Sequence, residues 1–153
     1  MSERVVIEID NHIATVILNR PRKRNAVDMA MFEAIASAAL TIRENAVVRA
    51  VVLCGSGSDF CAGIDIAVFA GSGAGSSLSE LMEPGTESGA NFFQNAAMCW
   101  RDLPMPVIAA LHGSCFGAGF QIAMGADIRY AAPEVRMSIM EIKWGLIPDM
   151  GIT

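Results

Sequence analysis

The chain has 153 residues, a formal net charge of −5 and a hydrophobic fraction of 53%, with a mean hydropathy of +0.43. This is one domain's length of chain with ample apolar side chains for a core. Its acidic balance speaks against a nucleic-acid partner, which needs a clustered basic face, and no run reaches the roughly 18 apolar residues of a membrane span. Glu3, Arg4 and Glu8 fall where a signal peptide would be apolar, so the expected compartment is the cytoplasm. Cys54, Cys61, Cys99 and Cys115 have no CxxC spacing, and His12 and His112 lie far apart. Reduced, mostly buried thiols are therefore expected, with neither disulfides nor a metal site.

In chain order, VVIEI and ATVIL flank an Asp10-Asn11 turn and predict a β-hairpin. The charged loop NRPRKRNAVD (19–28) follows, with Asp28 as N-cap of a helix over MAMFEAIASAALTIREN. AVVLCG is a continuous apolar run, as expected of a strand covered on both faces. A first glycine turn, GSGSDFCAGID, leads into IDIAVFA as the opening of a helix. Residues 71–89, rich in Gly, Ser and acidic side chains, are expected to be mobile. ANFFQNAAMCWRDL predicts a helix broken by Pro104 and Pro106, and VIAAL a second buried strand. A second glycine turn at 113–119, a helix over AGFQIAMGA and a strand over DIRYAA complete the order. With no repeat and no linker, residues 1–153 are expected to form a single α/β domain with parallel pairing.

Each glycine turn follows a predicted buried strand. Ligands in such folds sit at the carboxyl ends of strands, so both turns are candidates to line one site. The dinucleotide fingerprint fails for want of a third glycine after AVVLC. There is no P-loop, and Cys115 stands where a GxSxG elbow needs serine. A nucleophilic Cys115–His112 pair is the sharper reading of that turn; inert packing of a cysteine in an apolar turn is the plainer one. Free amides at a helix start would hold developing negative charge; glycines serving close packing alone are the alternative.

Together, DFCAGIDI (59–66), HGSCFGAGFQIAMGADIRYAA (112–132), NRPRKRNAVD and MEIKWGLIPDMG (140–151) resemble the enoyl-CoA hydratase/isomerase, or crotonase, superfamily (the ClpP/crotonase fold). The resemblance runs from Val5 to Thr153. It implies repeated ββα units, here without the C-terminal helical part, and a thioester carbonyl held by the backbone N–H groups of Ile64 and Ala118. Developing enolate charge would be stabilised there, where loss of one such donor typically costs about 2.7–4 kcal/mol of barrier.

The resemblance also places Gln121 at the position of a first catalytic glutamate and Glu141 at that of a second. An amide orients a group but has no basic oxygen to take a proton, so isomerisation by Glu141 alone is expected over hydration. Asp149 matches an aspartate of the dienoyl-CoA isomerases, which carry an acid where Gln121 stands; as a residue after Pro148 it also reads as ordinary turn chemistry. Arg24, Ala26, Ala62, Asp65 and Ile66 fall where the family holds coenzyme A. Arg22, Lys23 and Arg24 make a basic spot suited to its phosphates, though a solvated loop would look the same. The substrate implied is an enoyl-CoA of fatty-acid metabolism, with no metal or redox cofactor. The family's trimeric or hexameric assembly implies a homo-oligomer. The alternative is a truncated, non-catalytic subunit that packs with related chains.

Overall fold

The computed structural model describes residues 3–67, 80–86 and 88–151. Strands β1 (Val5–Asp10) and β2 (Ile13–Leu18) form the expected hairpin, and β3 (Ala50–Gly55), β4 (Val107–Leu111) and β6 (Ile128–Ala131) extend it. The sheet order is β1-β2-β3-β4-β6. β1 is antiparallel to β2, and every later pairing is parallel.

The register lines up Val16, Leu53 and Ala109 across the three central strands, all completely buried. Helix α1 (Met29–Arg43) covers that row with Met31, Phe32, Ile35, Ala39 and Ile42. Its start is fixed by Asp28, whose carboxylate accepts from the Met31 amide at 2.9 Å and ion-pairs Arg4 at 2.8 Å. A side-chain oxygen there meets an otherwise unpaired helical N–H.

Several expectations are corrected. β3 is not buried on both faces: Val51 and Leu53 are enclosed, while Ala50, Val52 and Cys54 are only half-buried. The helix expected over 90–103 is shorter, α2 (Phe92–Met98). It is started by a capping box in which Asn91 and Gln94 exchange side-chain and backbone bonds of 2.9 and 3.1 Å. The second glycine turn contains a short strand, β5 (Ser114–Phe116), paired in parallel with β7 (Arg136–Ser138); three-residue strands carry too little periodicity to be read in advance. Helix α3 (Ala118–Met124) follows as expected. The helix opening at IDIAVFA and the mobile stretch 71–89 lie partly outside the described residues, which omit 68–79 and 87. No described helix is long and apolar enough to cross a membrane.

Candidate active site

The two glycine turns lie against each other. Cys61 donates its N–H to the Ser114 carbonyl at 2.9 Å, and Phe116 donates back to the Cys61 carbonyl at 3.0 Å. Gly63 has φ of +104°, and a Cβ there would approach the Phe116 carbonyl oxygen to 3.2 Å, so glycine lets the turns close.

The neighbours of Ile64 settle where its amide points. Val27 donates to the Gly63 carbonyl at 2.8 Å and accepts from the Asp65 N–H at 2.9 Å. In this parallel bridge, residues 63 and 65 face Val27, and the Ile64 N–H between them faces the opposite way. Among the described residues it has no acceptor, and neither has the Ala118 N–H in the first turn of α3. Ile64 and Ala118 both line a cavity of about 340 Å³ with Gly63, Gly117, Met140, Glu141, Trp144 and Leu146.

Glu141 lies in a 3-10 turn, Met140–Trp144, with its carboxylate over Gly117, where a Cβ would come within 3.3 Å of Oε1. A second cavity, of about 420 Å³, shares the Glu141 wall and is also lined by Gln121, Asp149, Phe32, Phe93 and Met150. Phe32 and Phe93 pack edge to face with centroids 5.2 Å apart. All three candidate catalytic side chains thus border one mostly apolar chamber.

Gln121 is buried and bonded through both its amide nitrogen and its amide oxygen. Its Nε2 donates to Glu141 Oε1 at 2.8 Å, and its Oε1 accepts from the Met150 N–H at 2.7 Å. Since a backbone N–H only donates, the amide orientation is fixed and Glu141 must be the acceptor. Glu141 Oε2 is buried and has no hydrogen-bond partner among the described residues. Asp149 is exposed, and its backbone carbonyl accepts from Gln94 Nε2 at 3.0 Å. Of the apolar neighbours, Met140 and Trp144 line the chamber wall with Glu141, whereas Ile142 turns outward.

The residues expected to hold coenzyme A divide. Ala62 and Ile66 border the 340 Å³ cavity. Arg24, Ala26 and Asp65 are engaged elsewhere: Arg24 is bidentate to Asp59 at 2.7 and 2.8 Å and also meets Ser114 Oγ, the Ala26 carbonyl accepts from Arg20, and Asp65 pairs with Arg20 at 2.7 Å. All three residues of the basic spot are exposed, and Arg24 alone of them is paired with Asp59. Cys115 is buried, its thiol pushed up to about 12 by desolvation, while His112 is bonded to the Gly57 carbonyl at 3.1 Å. A thiol held protonated is no nucleophile.

Sequence reasoning missed Arg20, Asn25 and Asp59. Asn25 is completely buried, with φ of +55°, and its Nδ2 donates to the carbonyls of Ser56, Asp59 and Phe60. The signal available was an Asn amid arginines in a proline-bearing loop, a pattern that reads equally as solvated turn.

This architecture is the crotonase fold. The enoyl-CoA hydratase/isomerase family model matches residues 8–153, and the chain belongs to that family of enzymes. It is 33% identical over 95% of its length to a mouse mitochondrial Delta(3,5)-Delta(2,4)-dienoyl-CoA isomerase, covering 45% of that protein. Among solved structures, an enoyl-CoA hydratase from Bacillus anthracis superposes with a TM-score of 0.83 at 27% identity, over 97% of this chain and 55% of that one. One from Thermoplasma volcanium GSS1 gives 0.80 at 29%, over 95% and 54%. The chain spans about half the length of the relatives it matches.

Proposed function

We propose that the chain acts on an enoyl-CoA thioester in fatty-acid metabolism, moving a double bond by proton transfer through an enolate. The Ile64 and Ala118 amides stabilise the oxyanion, and Glu141 takes a proton from one carbon and returns it to another. The observation that carries this reading is the arrangement at Glu141: one carboxylate oxygen held by the Gln121 amide, the other buried without a partner among the described residues, in the wall it shares with Ile64. Two carboxylates are the family's means of activating water, and here the partner is an amide without basicity. Isomerisation is accordingly favoured over hydration. Asp149, bordering the same chamber, is the second acid for a proton that must travel farther, as along a diene. Only protons move, so the reaction calls for no metal or redox cofactor.

Residues 1–153 act as one crotonase-like domain in this reading. Ala62 and Ile66 line the thioester's approach, with Arg24, Ala26 and Asp65 beside it, in a homo-oligomer of the cytoplasm. The test is turnover by the purified chain. A 3-enoyl-CoA should isomerise faster than crotonyl-CoA hydrates, and Gln121→Glu should raise hydration selectively. Faster hydration by the wild-type chain would overturn the assignment. A second reading has its own support in the exposed apolar side chains of Tyr130, Ile142, Trp144 and Ile147: a non-catalytic subunit packing against related chains. It predicts neither reaction above background, and light scattering that reports a hetero- or homo-assembly.

A further inference from the structure

We propose that the charged loop Arg20–Asn25 is a two-armed brace for the site, in which Arg20 positions the Ile64 amide through Asp65 and Arg24 positions the Ala118 amide through Asp59 and Ser114. The inference rests on the oxyanion-hole reading of those two amides and adds to it the residues that aim them.

The first arm is short. Arg20 donates to Asp65 Oδ2 at 2.7 Å and to the Ala26 carbonyl at 2.9 Å, with Asp28 at 3.3 Å on its other side. Asp65 is the residue after Ile64, and its own N–H is tied to Val27. Both the side chain and the backbone of position 65 are therefore fixed, which leaves the Ile64 peptide little freedom to rotate.

The second arm runs through a buried carboxylate. Asp59 takes Arg24 on both oxygens, and its Oδ1 also accepts the Ser114 N–H at 2.8 Å, while Ser58 Oγ donates to Oδ2 at 2.6 Å. Ser114 begins β5, which runs directly into Gly117 and Ala118. The arms meet where Ala62 donates to the Arg24 carbonyl at 2.9 Å and where Cys61 bonds to β5. Charge-assisted bidentate contacts resist rotation better than neutral bonds, and a preorganised donor pair is what transition-state stabilisation of an oxyanion requires.

A role for these arginines in gripping coenzyme A phosphates makes different forecasts, and the purified full chain separates the two. Reporter amides are those of Asp65 and Gly117, hydrogen-bonded neighbours of Ile64 and Ala118. Arg20→Met should speed hydrogen exchange at Asp65 by about tenfold and leave Gly117 within about threefold; Arg24→Met should do the reverse. Asp65→Asn, which keeps an acceptor for Arg20, should stay near wild type at Asp65 where Asp65→Ala does not.

With a 2-enoyl-CoA bound, each arginine variant should lose much of the absorbance red shift that a polarised thioester carbonyl gives, with its dissociation constant within about twofold. Weakened binding with unmoved exchange, or equal loosening of both turns, would overturn the brace. The crossed exchange pattern without any red shift in the wild-type chain would instead remove the oxyanion reading and leave the two arms standing.

Discussion

The two parts of the candidate site are held by different forces. The amides of Ile64 and Ala118 sit on the turns that follow β3 and β4, where Leu53, Phe60, Cys61 and Cys115 are completely enclosed and backbone bonds join one turn to the other. Glu141 and Asp149 ride on the stretch after β6, where Ile142 is 79% exposed and Ile147 76%. Two amide side chains tie that stretch to the core, Gln121 through bonds to Glu141 and the Met150 N–H and Gln94 through the Asp149 carbonyl. In the proposed reading, the difference teaches that charge stabilisation would be built into the packed sheet, while acid–base chemistry would hang on a few polar contacts.

Truncating an apolar side chain in the packed region tests this most sharply. Leu53→Ala removes a fully buried side chain from the central row and should cost about 3 kcal/mol of unfolding free energy, through lost transfer energy and the cavity left behind. Chemical denaturation measures it. A cost below about 1 kcal/mol would mean that the sheet does not hold the site as argued.

Next in size is Glu141→Gln. The substitution keeps shape and hydrogen bonding but removes the basic oxygen, so isomerase turnover should fall by about 10²-fold, or roughly 2.7 kcal/mol of barrier, with acyl-CoA binding retained. Full activity in that variant would reassign the chemistry to Asp149 and make Glu141 a partner of Gln121 alone.

A third effect tests the packed region through its charges. Arg24 beside Asp59, and Arg20 beside Asp65, hold both carboxyls below the ordinary carboxylate range. Their unfolded values lie near 3.9, so the unfolded chain binds protons that the folded chain refuses. The stability they contribute is complete above about pH 5 and drains away as the pH falls through 4 and lower. Asp59→Ala should lower stability at pH 7 by about 2 kcal/mol, and its melting temperature should depend less on pH between 5 and 3 than that of the parent. Parallel pH curves for the two would show that Asp59 is not paired in solution.

What the sequence disclosed follows the same divide. The hairpin, α1, β3, β4 and α3 were legible because apolar spacing and an Asp28 cap state them locally, and the two glycine turns were legible as a pair. Residues Gln121 and Glu141 could be named from resemblance, but not the amide's two bonds, since those depend on Met150 arriving from a separate turn. Arg24 and Asp65 are named as ligand contacts by resemblance, but not their ion pairs, since a sequence shows charges without their partners. Asp59 and Asp65 are 35 and 45 residues from the arginines they meet, a separation at which no local pattern reports pairing. Strands β5 and β7 were missed because three residues each carry almost no periodic signal.

The smallest expected effect is at Ile142, beside the catalytic candidate in sequence but turned to solvent. Truncating a side chain that buries almost nothing removes little transfer energy, and surface substitutions of this kind stay within about 0.5 kcal/mol. Ile142→Ala should therefore leave the denaturation midpoint almost unchanged at any protein concentration if the face is open. If copies of the chain cover it, the residue is buried in the assembly, and anything binding only the folded state stabilises it by mass action. The wild-type midpoint would then climb with protein concentration, and Ile142→Ala would flatten that climb. Measuring both proteins over a hundredfold range of concentration separates the two cases, and a flat pair of curves would leave contacts within one chain, those of Gln121, Gln94 and Met150 among them, to hold the Glu141 segment to the core.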